Sequence, residues 1–202
     1  MPTYWWLVPV AYVMGSIPWG LLIVRAARGI DVREYGSGKT GVTNVYRTAG
    51  RRAALVVLAA DAGKGTAAVL LARALTSGEG VHAAVAAAVV IGHVWPIFAG
   101  FRGGRGIATG IGSAAALDPF ALPIGLVAFL PAVGLTRFVS FGSVLSVIAV
   151  VAMFGLKAAT DQAPIEYLWY ALGTGSLIVA MHRDNISRLL RGTEHRLGQR
   201  DP

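Results

Sequence analysis

Residues 53–75 read AALVVLAADAGKGTAAVLLARAL, an apolar run interrupted only by Asp61, Lys64 and Arg73. A perpendicular helix needs about 20 residues to cross about 30 Å of hydrocarbon, so the run is long enough to span a bilayer. In such a helix Asp61 and Lys64, at i and i+3, share one face. They would lie about 12–17 Å below the end of the span at 1.5 Å per residue, where an unpaired charge costs about 3 kcal/mol or more. The two are therefore expected to pair. A neutralised structural pair and the wall of a wet cavity both satisfy that requirement.

The rest of the chain follows the same pattern. It is 55% hydrophobic and 14% charged, with a mean hydropathy of +0.61, against roughly 25% charged residues in soluble domains. Further apolar segments fall at 4–24, 81–99, 106–117, 119–135, 140–158 and 165–181. The expectation is an all-α polytopic membrane protein, residues 1–202 forming one integral domain of seven transmembrane helices. Segment 106–117 is short or broken, because Asp118-Pro119 stops it and Gly110 and Gly112 loosen it. Gly15, Ser16 and Gly20 around Pro18 predict close packing or a kink in the first span. The start, MPTYWWLVPV, lacks the basic region of a cleavable signal, and Trp5 and Trp6 suit an interface. With no cysteine, disulfides and thiolate chemistry are excluded.

Just before the opening stretch lies REYGSGKTGVTNVYRTAG, residues 33–50, whose Gly-Lys-Thr resembles the end of a phosphate-binding P-loop. That pattern requires a glycine five positions before the Gly-Lys pair, and Arg33 stands there. It also requires an α/β domain, which the hydropathy excludes. The loop still offers anion-binding chemistry: Gly36, Gly38 and Gly41 permit backbone nests, Ser37 and Thr43 carry hydroxyls, Asn44 an amide and Arg47 a guanidinium. Few apolar residues are present to give it a core. A second stretch, GHVWPIFAGFRGGRGIATG at 92–110, sets Arg102 and Arg105 among Gly103, Gly104 and Gly106 immediately before a helix, whose N-terminus favours anions.

Charge sets the orientation. Loops 25–52, 100–105 and 136–139 and the tail 182–202 hold 15 of the 18 Lys and Arg residues, while Arg73 and Lys157 fall on the opposite side. Basic loops stay in the cytoplasm, so the N-terminus is expected outside and the C-terminus inside. The net charge of +8 then describes one face, which also attracts anionic lipid headgroups. Nucleic acid is not an expected partner, since no soluble domain remains to read it. His182 and Asn185, again i and i+3, stand at the cytoplasmic end of the last span.

In order and spacing, GSIPWG, GSGKTGVTNVYR, DAGKG, GHVWPIF…FRGGRGIATG and HRDNISRLLRGTE resemble the bacterial acyl-phosphate:glycerol-3-phosphate acyltransferases, the PlsY family. The resemblance covers nearly the whole chain. It implies a multi-pass plasma-membrane enzyme, active on the cytoplasmic face, that moves a fatty acyl group from acyl phosphate to the 1-hydroxyl of glycerol 3-phosphate, giving lysophosphatidic acid and phosphate. Carried over by position, the family's catalytic residues fall on Ser37, Arg47, Arg105, His182 and Asn185. Its substrate- and phosphate-binding positions fall on Gly36, Gly38, Lys39, Thr43, Asn44, Lys64, Gly103, Gly104 and Gly106. Two of these depart from the family pattern: Lys39 replaces an asparagine, and Arg105 replaces a lysine, a planar fork for a point charge. The P-loop likeness thus arises from one substitution in an acyltransferase loop. The expected enzyme is a monomer with no cofactor and no metal.

Acyl phosphate is an activated mixed anhydride, so positioning and charge neutralisation can supply most of the catalysis. The acceptor hydroxyl loses its proton either to His182 or to a phosphate oxygen of the donor. The His-x4-Asp pattern of acyl-CoA-dependent enzymes is absent: Ala87, Phe98, Ser187 and Arg200 stand five residues after the four histidines. A small anion transporter would share the basic mouth and broken helices, and a lipid-binding membrane protein would make no product. Single cysteines introduced at Ser77 and Gly192 are expected to react from opposite sides of the membrane. Labelling of both by one impermeant reagent outside intact cells would contradict the topology.

Overall fold

The structure is a computed structural model that describes residues 4–199, so the last residues of the expected tail, 200–202, lie outside the described residues. The described chain contains nine α-helices and no strand: α1 Leu7–Gly15, α2 Trp19–Arg28, α3 Val42–Leu75, α4 Glu79–Val94, α5 Ile107–Leu117, α6 Ala121–Thr136, α7 Val139–Ala159, α8 Ile165–Met181 and α9 Arg183–Leu190. Among the described residues, four stretches are long and apolar enough to cross a membrane: Tyr4–Arg28, Val42–Leu75, Glu79–Ala99 and Val139–Ala159. Helices α5, α6 and α8 are shorter apolar pieces. At 1.5 Å per residue, α5 is only about 16 Å long, in line with the short segment that Asp118-Pro119 ends.

The first long stretch breaks where its sequence predicts. Pro18 (φ −90°, ψ 71°) separates α1 from α2, and the freed Ile17 carbonyl accepts a hydrogen bond from Lys64 Nζ at 2.9 Å. Helix α3 also breaks, at Gly50, where φ 85° and ψ −178° interrupt the helical backbone. Residues 42–49 are therefore a separate short helix within the stretch expected as a basic loop. The expectation that this loop lacks a core is also corrected: Val24, Val32 and Val45 pack with Ala54 and Val57 into a small cluster of their own.

Two close helix crossings hold the bundle. Where α3 meets α5, a Cβ on Gly112 would stand 2.2 Å from the Ala62 carbonyl oxygen, and one on Gly65 would stand 2.4 Å from that of Thr109. Thr66 Oγ1 adds a hydrogen bond to the Gly112 carbonyl at 3.0 Å. Helices α1 and α4 cross in the same way, through Gly15 against Val89 and Gly92 against Tyr12. Small residues bring the backbones together because helices in lipid gain little from burying apolar side chains alone. The α3–α5 crossing fixes Asp61 on one helix relative to Arg105, just ahead of the other.

The far end of α5 collects the other cations. Arg73 Nη1 donates to the Ala116 carbonyl at 2.5 Å, and Lys157 pairs with Asp118. Replacing Gly112 by valine is expected to force α3 and α5 apart at a cost of about 1–3 kcal/mol. The melting temperature in detergent should fall by roughly 2–4 °C for each kcal/mol in a chain of this size. A valine variant that melts with the native protein would contradict the crossing.

Candidate active site

Helices α3, α5, α6 and α7 enclose a cavity of about 430 Å³. One end is polar, formed by Ser37, Lys39, Thr43, Arg105 and His182. Away from it the lining is mostly apolar, with Ile111, Leu122, Leu126 and Phe129, and Asp61, His93, Ser143 and Ser146 also line the cavity. Leu58, Leu122 and Leu126 line the cavity and are 42–43% exposed.

Each polar wall has a local cause. In the first basic loop, the Asn44 side chain acts as the clamp: Nδ2 donates to the carbonyls of Val32 at 3.0 Å, Tyr35 at 3.0 Å and Lys39 at 2.9 Å, and Oδ1 accepts from the Ser37 amide at 3.0 Å. Gly36, at φ +56°, lies against that amide, where a Cβ would stand 2.2 Å from Asn44 Oδ1. Asn44, Gly36 and Gly38, expected to bind substrate, thus also shape the loop that carries Ser37, Lys39 and Thr43. Asn44 spends its amide on the loop, and the two glycines supply positive φ for it. The clamp leaves the Ser37 and Thr43 hydroxyls and the Lys39 ammonium at the cavity.

The second loop carries Arg105. Gly103 N–H donates to the Val94 carbonyl at 3.2 Å and Gly104 N–H to that of His93 at 3.2 Å. These two amides are used by the end of α4. Gly106, at φ +92°, starts α5, and the first-turn amides beyond it have no helical acceptor. Arg105 makes no hydrogen bond or ion pair among the described residues, and its Nε is shielded from solvent without a partner. Burial and the nearby Arg188 charge hold its pKa below the usual arginine value, and the Arg47 charge acts in the same direction. Arg47 and Lys39 also lack an ion pair among the described residues.

His182 stands at the junction of α8 and α9 and is 3% exposed. Its Nδ1 lies 2.8 Å from the Ile178 carbonyl, an acceptor, so Nδ1 carries the proton and Nε2 is left as an acceptor. Burial lowers its pKa from 6.5, and the Arg105 charge assists. Asn185 does not line the cavity: its Nδ2 donates to Glu194 Oε1 at 2.7 Å, while its Oδ1 is buried without a partner. Lys64, expected to bind phosphate, does not line it either. Its ammonium is committed to Asp61 Oδ1 at 2.9 Å, as the spacing predicts, and to the Ile17 carbonyl.

Sequence reasoning did not single out two groups. His93 is 5% exposed, lines the cavity and places Nδ1 3.4 Å from Asp61 Oδ1; the available signal was the need of a buried carboxylate for more than one partner. Glu194 gathers Ser140 Oγ at 2.8 Å, Asn185 Nδ2 and Arg188 Nε at 2.8 Å, tying the tail to the start of α7 and to α9. Burial raises its pKa, but the bonds from Asn185, Ser140 and Arg188 outweigh that effect and hold it below 4.5.

Residues 5–192 match the family described as Glycerol-3-phosphate acyltransferase. The chain is 44% identical to glycerol-3-phosphate acyltransferase 3 of Dehalococcoides mccartyi and 45% identical to the glycerol-3-phosphate acyltransferase of Rubrobacter xylanophilus, in each case over 96% of this chain and 95% of the relative. The fold is similar to crystal structures of PlsY (YgiH), an integral membrane glycerol 3-phosphate acyltransferase. Its glycerol 3-phosphate form superposes with a TM-score of 0.89 and its lysophosphatidic acid form with 0.87, both at 35% identity over 96% of this chain and 94% of the other.

Because the folded-state pKa of Glu194 lies below its unfolded value, the stability it supplies is present above about pH 4.5 and is lost as the pH falls through the lower, folded value. Acid titration of the melting temperature is expected to show this loss, and Glu194→Gln to flatten it while lowering stability at pH 7. An unchanged acid limb in Glu194→Gln would remove Glu194 from that role.

Proposed function

The chain belongs to the glycerol-3-phosphate acyltransferase family, and we propose that it transfers a fatty acyl group from acyl phosphate to the 1-hydroxyl of glycerol 3-phosphate in the bacterial plasma membrane. The observation that carries this reading is the unpartnered Arg105 guanidinium, with Nε buried, at the polar end of a cavity whose lining is elsewhere mostly apolar. A buried charge without a partner is costly, and a phosphate would supply the missing acceptor through charge-assisted bonds.

In this reading the acceptor hydroxyl attacks the donor's carbonyl carbon, the bond from that carbon to the phosphate oxygen breaks, and phosphate leaves with the electron pair. Arg105, Lys39 and Arg47 offset repulsion between two phosphate-bearing substrates and hold the charge that grows on the leaving group. The Ser37 and Thr43 hydroxyls and the first turn of α5 add donors. His182 keeps an acceptor at Nε2, and its lowered pKa makes it a better holder of the acceptor hydroxyl than a base. The proton then passes to the leaving phosphate. The acyl chain lies along Ile111, Leu126 and Phe129.

The proposed topology has seven spans, with the N-terminus outside and the polar end of the cavity at the cytoplasmic face, in a monomer surrounded by lipid. The separation of charge along α5 supports it: Arg105 precedes the helix, while Arg73 and the Lys157–Asp118 pair close its other end. A neighbouring outer surface rich in exposed leucine, such as Leu55, Leu70 and Leu130, suits contact with acyl chains.

The test is an assay of purified protein with palmitoyl phosphate and labelled glycerol 3-phosphate, with acyl-CoA and acyl-carrier protein thioesters in parallel. Product from acyl phosphate alone is expected. Thioester-dependent product would replace the donor, and phosphate flux into vesicles without acyl transfer would indicate a transporter. His182→Asn is expected to raise the KM for glycerol 3-phosphate while the pH profile keeps its shape. A native KM with kcat down about a thousandfold would instead make His182 the base.

A further inference from the structure

The geometry points to the buried Asp61–His93 pair as the positioning device for Arg105, an inference that rests on the proposed phosphate role of Arg105. His93 touches the Arg105 loop twice. Its carbonyl accepts the Gly104 amide at 3.2 Å, and its imidazole faces the same glycine so closely that a Cβ there would stand 2.2 Å from Nε2 and 2.9 Å from Cε1. Gly103 is held similarly, since a Cβ on it would stand 2.1 Å from the His93 carbonyl oxygen. The loop therefore ends against a ring and two carbonyls, one residue before Arg105. Neither glycine has a side chain with which to hold itself.

That support works only if the ring is fixed. Asp61 Oδ1 lies 3.4 Å from His93 Nδ1 and 2.9 Å from Lys64 Nζ, and Lys64 is itself anchored on the Ile17 carbonyl. A carboxylate at Nδ1 selects the tautomer and the orientation of an imidazole. Asp61 is 1% and His93 5% exposed, so solvent offers no substitute. The chain of contacts runs from the break in the first span through Lys64, Asp61 and His93 to Gly104, and ends at a guanidinium that no protein acceptor orients. A catalytic cation without protein partners needs its aim set by the backbone that carries it, because small displacements at a reacting centre cost large factors in rate.

The test is energetic coupling, measured as the KM for glycerol 3-phosphate at saturating palmitoyl phosphate in four proteins: native, Arg105→Gln, His93→Asn and the double variant. In the native background Arg105→Gln is expected to raise KM at least about tenfold, because the charge-assisted contacts to phosphate are lost. His93→Asn alone is expected to raise it about tenfold. In the His93→Asn background, where residue 105 is no longer aimed, Arg105→Gln should cost less than about threefold, since residues acting through one another are not additive. The same factor in both backgrounds would overturn the positioning role. A native KM in Arg105→Gln would instead remove Arg105 from the phosphate site, and the role of the pair with it. Should His93→Asn fail to fold, Asp61→Asn is read by the same cycle, since it keeps the ring and frees its orientation.

Discussion

A carboxylate inside a membrane bundle has to be neutralised, and much of this structure is arranged around how Asp61 meets that requirement. Desolvating a charge costs several kcal/mol even after relaxation, so Asp61 draws Lys64 from its own helix and His93 from α4. Lys64 is then free to satisfy the Ile17 carbonyl left open by Pro18. One buried anion thus joins the broken first span, α3 and α4 at one level of the bundle. The glycine crossing of α3 on α5 places that junction beside the polar end of the cavity.

Around the cavity itself the balance is reversed. Arg105 and Lys39 line it without ion pairs among the described residues, and Arg47, which is not part of the lining, acts on Arg105 through its charge, whereas Arg188 is matched by Glu194. Glu194 stands close enough to influence Arg105 but spends its oxygens on Ser140, Asn185 and Arg188. The tail therefore moderates the cation cluster without cancelling it. At the other end of α5, Arg73 and Lys157 find a carbonyl and a carboxylate, so nothing there is left to attract an anion.

The apolar runs and the positions of Pro18, Asp118 and Pro119 made the helices legible, because span length and helix breaking are local properties. The Asp61–Lys64 pair was legible too, since i and i+3 fix its geometry. The loops were less so. Asn44 looked like a ligand for substrate because its type and neighbours suit one, and only the folded loop shows four backbone groups converging on it. Gly103 and Gly104 pose the same difficulty: a glycine needed for close approach to His93 has the same letter as one that cradles phosphate. His93 and Asp61 lie 32 positions apart in sequence, with no spacing rule between them, and Glu194 meets Ser140 only through the path of the tail.

Leu58, Leu122 and Leu126 belong to the cavity wall and remain exposed. Each methylene moved from water onto apolar surface gains about 0.8 kcal/mol, so a fatty chain lodged against such a wall is held more firmly the longer it is. The same contact that admits a chain therefore sets the energy needed to let it go.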